Sequence, residues 1–309
     1  MGMEYAMTHL EDWPDHLRSI PEKWVWDKKQ GTVICSPLTT LCRSFYSLKD
    51  KALGADVLLS LAESPHFENI RLLDISGNLL GELGEEALLQ SLNVLCSSPL
   101  FSGLKGLRLS DNGIGASGVE ILAEAESLVE LEELDLSGNL IGDKGLVALA
   151  RGSQLHKLQR LSLSGCGASS WNLSRKGMIA LVEEGALPSL RCLELRHSSI
   201  DSWAAAGMGH NFAHQTLESI DLRDNLIGSF GLASFVDARL KSLKQLDFRG
   251  QTLVDFDEND TEKLTVLEFY ELTNNDKLTD RWEHMGHPEM FKIVARYLRR
   301  AHKKIKISL

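Results

Sequence analysis

Large apolar residues recur along the chain at fixed spacing, with polar or small residues between them. In the clearest copy the frame consists of Leu104, Leu107, Leu109, Asn112 and Ile114. Self-similarity at a fixed period is the signature of a repeat architecture, so this frame governs the interpretation of the whole chain. Seven copies, at intervals of about 27 residues, begin at Ile70, Leu104, Leu131, Leu158, Leu190, Leu217 and Leu243.

The spacing within one copy predicts a short strand followed by a helix. Side chains in a strand alternate between its two faces, so Leu107 and Leu109 are expected in a core while Arg108 faces outwards. The stretch at 118–128, GVEILAEAESL, has the apolar spacing of a helix packed on the back of the sheet. Parallel strands stack at about 4.8 Å and helices at about 10 Å, which predicts an array bent into an arc.

A column of asparagines is expected where each strand ends, because a buried amide can satisfy backbone groups of adjacent copies. Four copies carry it, at Asn78, Asn112, Asn139 and Asn225. Three copies have another residue there, which predicts a looser ladder at Cys166, Ser198 and Gln251. A faint further copy precedes the seven around Tyr46, and a decayed one is expected around Leu264 and Leu267.

These motifs resemble the ribonuclease-inhibitor-like class of leucine-rich repeats, in which each repeat places a helix on the outer face. The resemblance implies an α/β fold, a leucine-rich-repeat solenoid with a curved parallel sheet on the concave face and helices on the convex face. It covers about 45–253, with seven to eight repeats. The segment 1–44 is then an N-terminal extension or cap, and 254–309 is a C-terminal cap with a basic helical tail.

Three tryptophans outside the regular frame are candidate binding residues. Trp24 and Trp26 lie in the N-terminal segment, which is expected either to shield the open end of the core or to dock on a partner. Trp171 lies in an insertion of about five residues in the fourth copy, and such insertions often carry recognition, although a self-packed loop is the alternative.

The outward positions of the last three copies combine acids and arginines. An acidic column and a basic column are expected side by side on adjacent strands, flanked by His197 and Asp224. One interpretation is a self-neutralising lattice on the surface, and the other is a polar binding floor. The two columns are Glu194, Asp221 and Asp247, and Arg196, Arg223 and Arg249.

Composition narrows the classes of function. The net charge of −10 argues against a nucleic-acid partner, since phosphate binding requires clustered lysine and arginine. The five cysteines show no C-x-x-C pair and no secretory context, so they are interpreted as reduced thiols. No apolar run is long enough for a membrane helix, which favours a cytoplasmic location, with the nucleus or an organelle as alternatives. No catalytic, cofactor or metal-binding constellation is evident.

The sequence therefore predicts a non-enzymatic protein-protein interaction or scaffold protein. It would bind a protein partner through the concave face and the terminal extensions, either as a subunit of a larger assembly or as a free regulator. The alternative is a GTPase regulator, because Ran GTPase-activating proteins have similar repeats. Those proteins end in an acidic tail, whereas this chain ends in basic residues, so that resemblance is limited to the scaffold.

Overall fold

The computed structural model describes residues 26–27, 32–33, 45–47, 71–78, 80–82, 84–167, 173–252 and 287–309. Two short strands, β1 (Trp26–Asp27) and β2 (Thr32–Val33), pair antiparallel. In the described ranges, nine parallel strands form one sheet, in order β3 (Phe45–Ser47), β4 (Leu72–Asp74), β5 (Gly106–Arg108), β6 (Glu133–Asp135), β7 (Arg160–Ser162), β8 (Cys192–Glu194), β9 (Ser219–Asp221), β10 (Gln245–Asp247) and β11 (Lys306–Ser308).

Helices alternate with these strands, and each helix packs against the next one along the chain. Short 3-10 turns at Pro99–Phe101 and Glu126–Leu128 follow the first two. The helices in the described part are α1 (Glu85–Ser97), α2 (Ala116–Ala123), α3 (Gly142–Arg151), α4 (Arg175–Val182), α5 (Ser202–His210), α6 (Ser229–Ala233) and α7 (His287–Ala301).

The leucine frame explains this alternation. The central residue of each strand stands opposite its counterpart in the next copy, as Leu107 does to Leu134 and Leu134 to Leu161. These side chains are buried, and they share one continuous core with the apolar faces of the helices. The predicted α/β leucine-rich-repeat solenoid is therefore confirmed. The faint copy around Tyr46 is also present as a strand, since Tyr46 pairs in register with Leu73.

The asparagine column ties neighbouring copies together as expected. The Asn139 amide oxygen accepts hydrogen bonds from the backbone N–H groups of Asn112, at 3.1 Å, and Ile114, at 2.9 Å. Its nitrogen donates to the carbonyls of Leu109 and Leu136, both at 2.9 Å. The side chain is buried. The nitrogen also donates to the Ser137 carbonyl at 3.3 Å, so one amide satisfies five backbone groups from two repeats.

The looser ladder is confirmed at Cys166, where the thiol makes one short contact, 3.2 Å from its sulfur to the Leu136 carbonyl. At Gln251 the ladder is looser too, with two hydrogen bonds where Asn139 makes five. The Gln251 oxygen accepts from the Ile227 N–H at 3.0 Å, and its nitrogen donates to the Leu222 carbonyl at 2.8 Å. The longer amide thus makes the same two kinds of bond as asparagine.

The C-terminal part joins the same sheet although it lacks the leucine frame. The predicted basic helix is α7, and β11 pairs in parallel with β10, with Ile307 opposite Leu246. The His302 ring nitrogen lies 2.7 Å from the Phe235 carbonyl oxygen and fastens the end of the helix to the sixth repeat. The predicted copy at Leu264 and Leu267, and the domain boundaries near 44 and 253, lie outside the described residues.

Candidate functional site

Three adjacent strands, β8, β9 and β10, build the candidate site. Their last residues, Glu194, Asp221 and Asp247, are aligned in register, so the expected acidic column exists. Each strand continues into a turn, and the second residue along is an arginine. We call this set the arginine floor: Glu194, Arg196, Asp221, Arg223, Asp247 and Arg249.

The two columns of the arginine floor interlock rather than stand apart. Arg196 reaches across to the next copy, where its Nε lies 2.7 Å from Asp221 Oδ2. Arg223 contacts the same carboxylate oxygen at 2.7 Å through Nη2, and its Nε lies 3.7 Å from Asp247 Oδ2. Arg249 Nη2 closes the series at 2.6 Å from Asp247 Oδ2. The ion pairs therefore form one continuous network over three repeats.

The acids of this network are less exposed than its arginines, most clearly at Asp247, whereas Glu194 at 24% is close to Arg223 at 29%. The side chains of Asp221 and Asp247 are 15% and 3% exposed, whereas those of Arg196 and Arg249 are 38% and 55% exposed. Each aspartate also accepts a hydrogen bond from a backbone N–H, at 3.1 Å for the N–H of Arg249 on Asp247. The aspartates thus hold the guanidinium groups, which are the more exposed members of these pairs.

Both aspartates of the network, and the arginines two residues after them, stay charged near neutral pH. Burial acts to raise the pKa of Asp221, but hydrogen bonds from the Arg223 side chain and backbone and the charge of Arg196 outweigh it, so the pKa lies below its usual value. The pKa of Asp247 is lowered in the same way, with hydrogen bonds from Arg249 outweighing burial. The hydrogen bond from Arg223 to Asp221 raises the pKa of that arginine further.

The flanking pair, His197 and Asp224, lies where β8 and β9 leave the sheet. His197 Nε2 is 3.3 Å from Asp224 Oδ2, and both side chains are exposed. Their φ angles are 50° and 57°, in the left-handed region that several other copies fill with glycine. Gly250 fills the same position in the last copy, with φ at 72°, and an added Cβ there would displace the Asp224 carboxylate.

Comparison with known protein families agrees with the repeat frame of the fold. A family model described as Leucine Rich repeat matches residues 104–123 and 131–150, which are the copies that begin at Leu104 and Leu131. The chain is a leucine-rich-repeat protein. Assignment of this leucine-rich-repeat protein to the ribonuclease-inhibitor-like class stays a prediction.

Other comparisons add little to that identification. Among solved structures, a TLR13-ssRNA13 complex matches with 20% identity and a TM-score of 0.30. The match covers 63% of this chain and 31% of that chain, so this protein spans about a third of its length. No curated protein matches the sequence.

The early repeats of this leucine-rich-repeat protein carry serines on the inner face. Ser137 Oγ and Ser162 Oγ, from successive copies, lie 2.8 Å apart. The early strands also carry two separate ion pairs, Arg108 with Asp74 at 3.9 Å and Arg160 with Glu133 at 3.3 Å. The inner face therefore has hydroxyls and separate ion pairs in the early repeats and the continuous network of the arginine floor in the late ones.

The predicted tryptophan sites are not joined to the arginine floor by the described residues. Trp24 and Trp171 lie outside the part of the chain that the structure describes, and of Trp26 only the backbone is placed, in β1 opposite Val33. All three therefore stay predictions.

An exposed aromatic pair was missed by the sequence analysis. Trp203, which is 40% exposed, and Phe230 pack edge to face with ring centroids 4.9 Å apart. They lie in the first turns of α5 and α6, directly after the strands that carry the arginine floor. The signal was available, because both aromatics follow the leucine frame at the same offset in consecutive copies.

The described residues contain no group of histidine, cysteine and acidic side chains that could hold a metal ion. Nor does any helix in the described ranges have the length and apolar character needed to cross a bilayer. The cysteines that the structure describes, Cys96, Cys166 and Cys192, are free thiols. Burial raises the pKa of both Cys96 and Cys166 to about 12, which keeps them protonated.

Proposed function

We propose that this leucine-rich-repeat protein is a non-catalytic scaffold that binds a protein partner on the arginine floor. The observation that carries the proposal is the difference in exposure within the ion-pair network. Asp247 is nearly inaccessible, while the guanidinium of Arg249, which it holds, is half exposed. This asymmetry supports a binding floor over a self-neutralising lattice.

The held guanidinium groups suit acceptors on a partner protein. An arginine has five N–H donors, and Asp247 accepts from Nε and Nη2 of Arg249, which leaves the remaining donors for other acceptors. Because the arginines are already ordered by their carboxylates, binding loses less side-chain entropy than it would with free arginines. We expect partner carboxylates and backbone carbonyls to be recognised, with arginines as principal contributors to affinity.

The sheet that carries the floor is also consistent with a large partner. Each repeat contacts only its neighbours, and repeat arrays use the resulting extended inner surface for binding. The arginine floor spans three strands with fixed register, so its donors are spaced by the backbone and not by flexible loops. A macromolecule can contact several repeats at once.

Affinity purification followed by quantitative mass spectrometry tests the proposal. The wild type is compared with a triple variant, Arg196→Gln, Arg223→Gln and Arg249→Gln, in cells that make the protein naturally. A matched control changes exposed arginines outside the floor: Arg151→Gln, Arg175→Gln and Arg239→Gln. Partners of the floor should be depleted by the first triple variant and retained by the control.

A second variant separates binding from folding, because the glutamines leave Asp247 buried without its cation. Replacing the same three arginines by lysine keeps the charge but removes the planar guanidinium, so the fold is expected to persist while partners are still lost. Thermal unfolding of each variant checks that the fold is intact. Unchanged partner recovery from well-folded glutamine and lysine variants would show that the floor is only a surface lattice.

A further inference from the structure

A second candidate surface lies at the C-terminal end of the sheet and shares no residue with the arginine floor. The outer side of α7 and the residue after β11 enclose a groove of about 740 Å³. Its apolar part consists of Phe291, Ala295 and Leu309. Phe291 and Leu309 are partly exposed, while Ala295 is buried at the bottom. We call this the tail groove.

Five cations surround this apolar strip: Lys292, Arg296, Arg299, Arg300 and Lys303. All five are exposed, and within the described residues none of them forms an ion pair. The contrast with the arginine floor is direct, since there each arginine is held by a carboxylate. Arg300 contacts only a ring, with its guanidinium carbon 5.8 Å from the Tyr297 centroid.

The helix itself does not explain this concentration of charge. Cations near a helix C-terminus interact favourably with the helix dipole, which accounts for Arg299 and Arg300 at the end of α7. Lys292 and Arg296 lie further from that end, where the effect has faded. The spacings from Lys292 to Arg296 and from Arg296 to Arg300 are each four residues, at which like charges destabilise a helix. The cluster therefore opposes the stability of the helix that carries it.

We propose that the tail groove binds an acidic polypeptide segment of a partner protein, one that carries large apolar side chains among its carboxylates. The carboxylates would pair with the rim cations, and the apolar side chains would cover Phe291, Ala295 and Leu309. A groove of this volume admits a few such side chains, and it does so next to the cations that fix the orientation of the peptide.

Two other anionic partners fit the groove less well. A membrane surface favours apolar side chains that project beyond the cations, whereas here the apolar residues are less exposed than the cations. A nucleic acid gains affinity from many phosphates, and a chain with a net charge of −10 repels a long polyanion outside the groove. A short acidic segment meets less of this repulsion, and its apolar side chains can also contact the apolar strip.

This proposal does not depend on the arginine floor, because the two surfaces share no residue. Its test uses fluorescence anisotropy with the full chain and a short fluorescein-labelled peptide that has glutamates around leucines at helical spacing. Two reference peptides isolate the contributions: one has glutamine in place of glutamate, and the other has serine in place of leucine. We expect both to bind at least about tenfold more weakly, and added salt to weaken binding of the acidic peptide.

Adjacent lysines provide matched variants for the same assay. Lys303 lines the groove and Lys304 does not, although both are exposed. Lys303→Gln should weaken binding of the acidic peptide about threefold and Lys304→Gln should leave it unchanged. The double variant Arg296→Gln and Arg299→Gln should weaken it about tenfold or more. These positions are exposed, so circular dichroism melting is expected to show intact folding.

Clear outcomes overturn the proposal. They are the absence of binding to the wild type, equal binding of the glutamate and glutamine peptides, or an equal effect of the two lysine variants. Vesicles of phosphatidylcholine and phosphatidylserine, and a short DNA duplex, are tested in parallel. If either binds more tightly than the peptide and depends on Arg296 and Arg299, the groove belongs to that ligand and the proposal is wrong.

Discussion

The buried amide of Asn139 allows a quantitative test of what holds adjacent repeats together. Asn139→Ala removes its five hydrogen bonds, but the bonded groups are not equally affected. The carbonyl of Ser137 keeps the N–H of Asp111 at 2.9 Å. The carbonyl of Leu109 keeps a second donor, Asn112 Nδ2 at 3.0 Å, and that of Leu136 keeps the Cys166 thiol. The N–H groups of Asn112 and Ile114 have no other acceptor in the described hydrogen bonds.

Two backbone N–H groups are therefore left unsatisfied in the core. An unsatisfied buried donor costs about 1–3 kcal/mol, so the free energy of unfolding should fall by about 4 kcal/mol in total. Urea unfolding followed by circular dichroism measures this, with linear extrapolation to water. Water that enters the space left by the amide would bring the loss towards the lower end of the range.

Asn211 provides the control for this substitution. Its exposed side chain makes a single hydrogen bond, from Nδ2 to the Gly207 carbonyl at 2.9 Å. Asn211→Ala is expected to lower the free energy of unfolding by no more than about 0.5 kcal/mol. A loss below about 1 kcal/mol for Asn139→Ala, or a loss equal to that of Asn211→Ala, would refute the role assigned to the asparagine column.

Three further predictions concern a titrating group, a close contact and a thiol. Burial lowers the pKa of His214, so below about pH 6.5 the unfolded chain binds a proton more readily than the folded chain. The free energy of unfolding should therefore fall as the pH drops below about 6.5, by up to about 1.4 kcal/mol per pH unit. His214→Asn should reduce this dependence on pH in urea titrations. Gly167→Ala places a Cβ 1.6 Å from the Ser198 carbonyl oxygen and should cost about 3 kcal/mol or more in urea unfolding. Gly115→Ala has 4.0 Å to its nearest neighbour and changes only the N-cap of α2, so it should cost no more than about 1 kcal/mol, and equal effects would contradict the contact. Cys96 should react with a thiol reagent only on unfolding, and rapid modification of the native protein would contradict its raised pKa.

Much of the fold was predictable because it depends on local spacing. Leu107 and its equivalents are separated from the next copy by a near-constant interval, and a period of two within each strand then assigns them to the core. The alignment of Glu194, Asp221 and Asp247 was predictable for the same reason. The strand β11 was not, because Ile307 has no leucine frame around it and joins the sheet only through its contact with β10.

The candidate site was predictable in its residues but not in its electrostatics. The columns of acids and arginines follow from register, yet nothing in their order shows that Asp247 is buried and Arg249 half exposed. In the folded chain Asp247 accepts hydrogen bonds from both the backbone N–H and the guanidinium of Arg249. Trp203 and the tail groove depend on which faces the neighbouring elements cover, and that is a property of the assembled solenoid.

Taken by itself, the sequence determined the repeat, the strand and helix order and the set of residues on each face, since all of these are consequences of periodicity along the chain. The tertiary structure alone decided which charges neutralise one another, which are left unpaired and where the chain closes on the last repeat. These are distances between residues of different copies, and a Coulomb interaction or a hydrogen bond depends on that distance and on the surrounding burial. Arg196 shows the difference, because its sequence neighbour Glu194 lies 3.4 Å away while Asp221 of the next repeat lies at 2.7 Å.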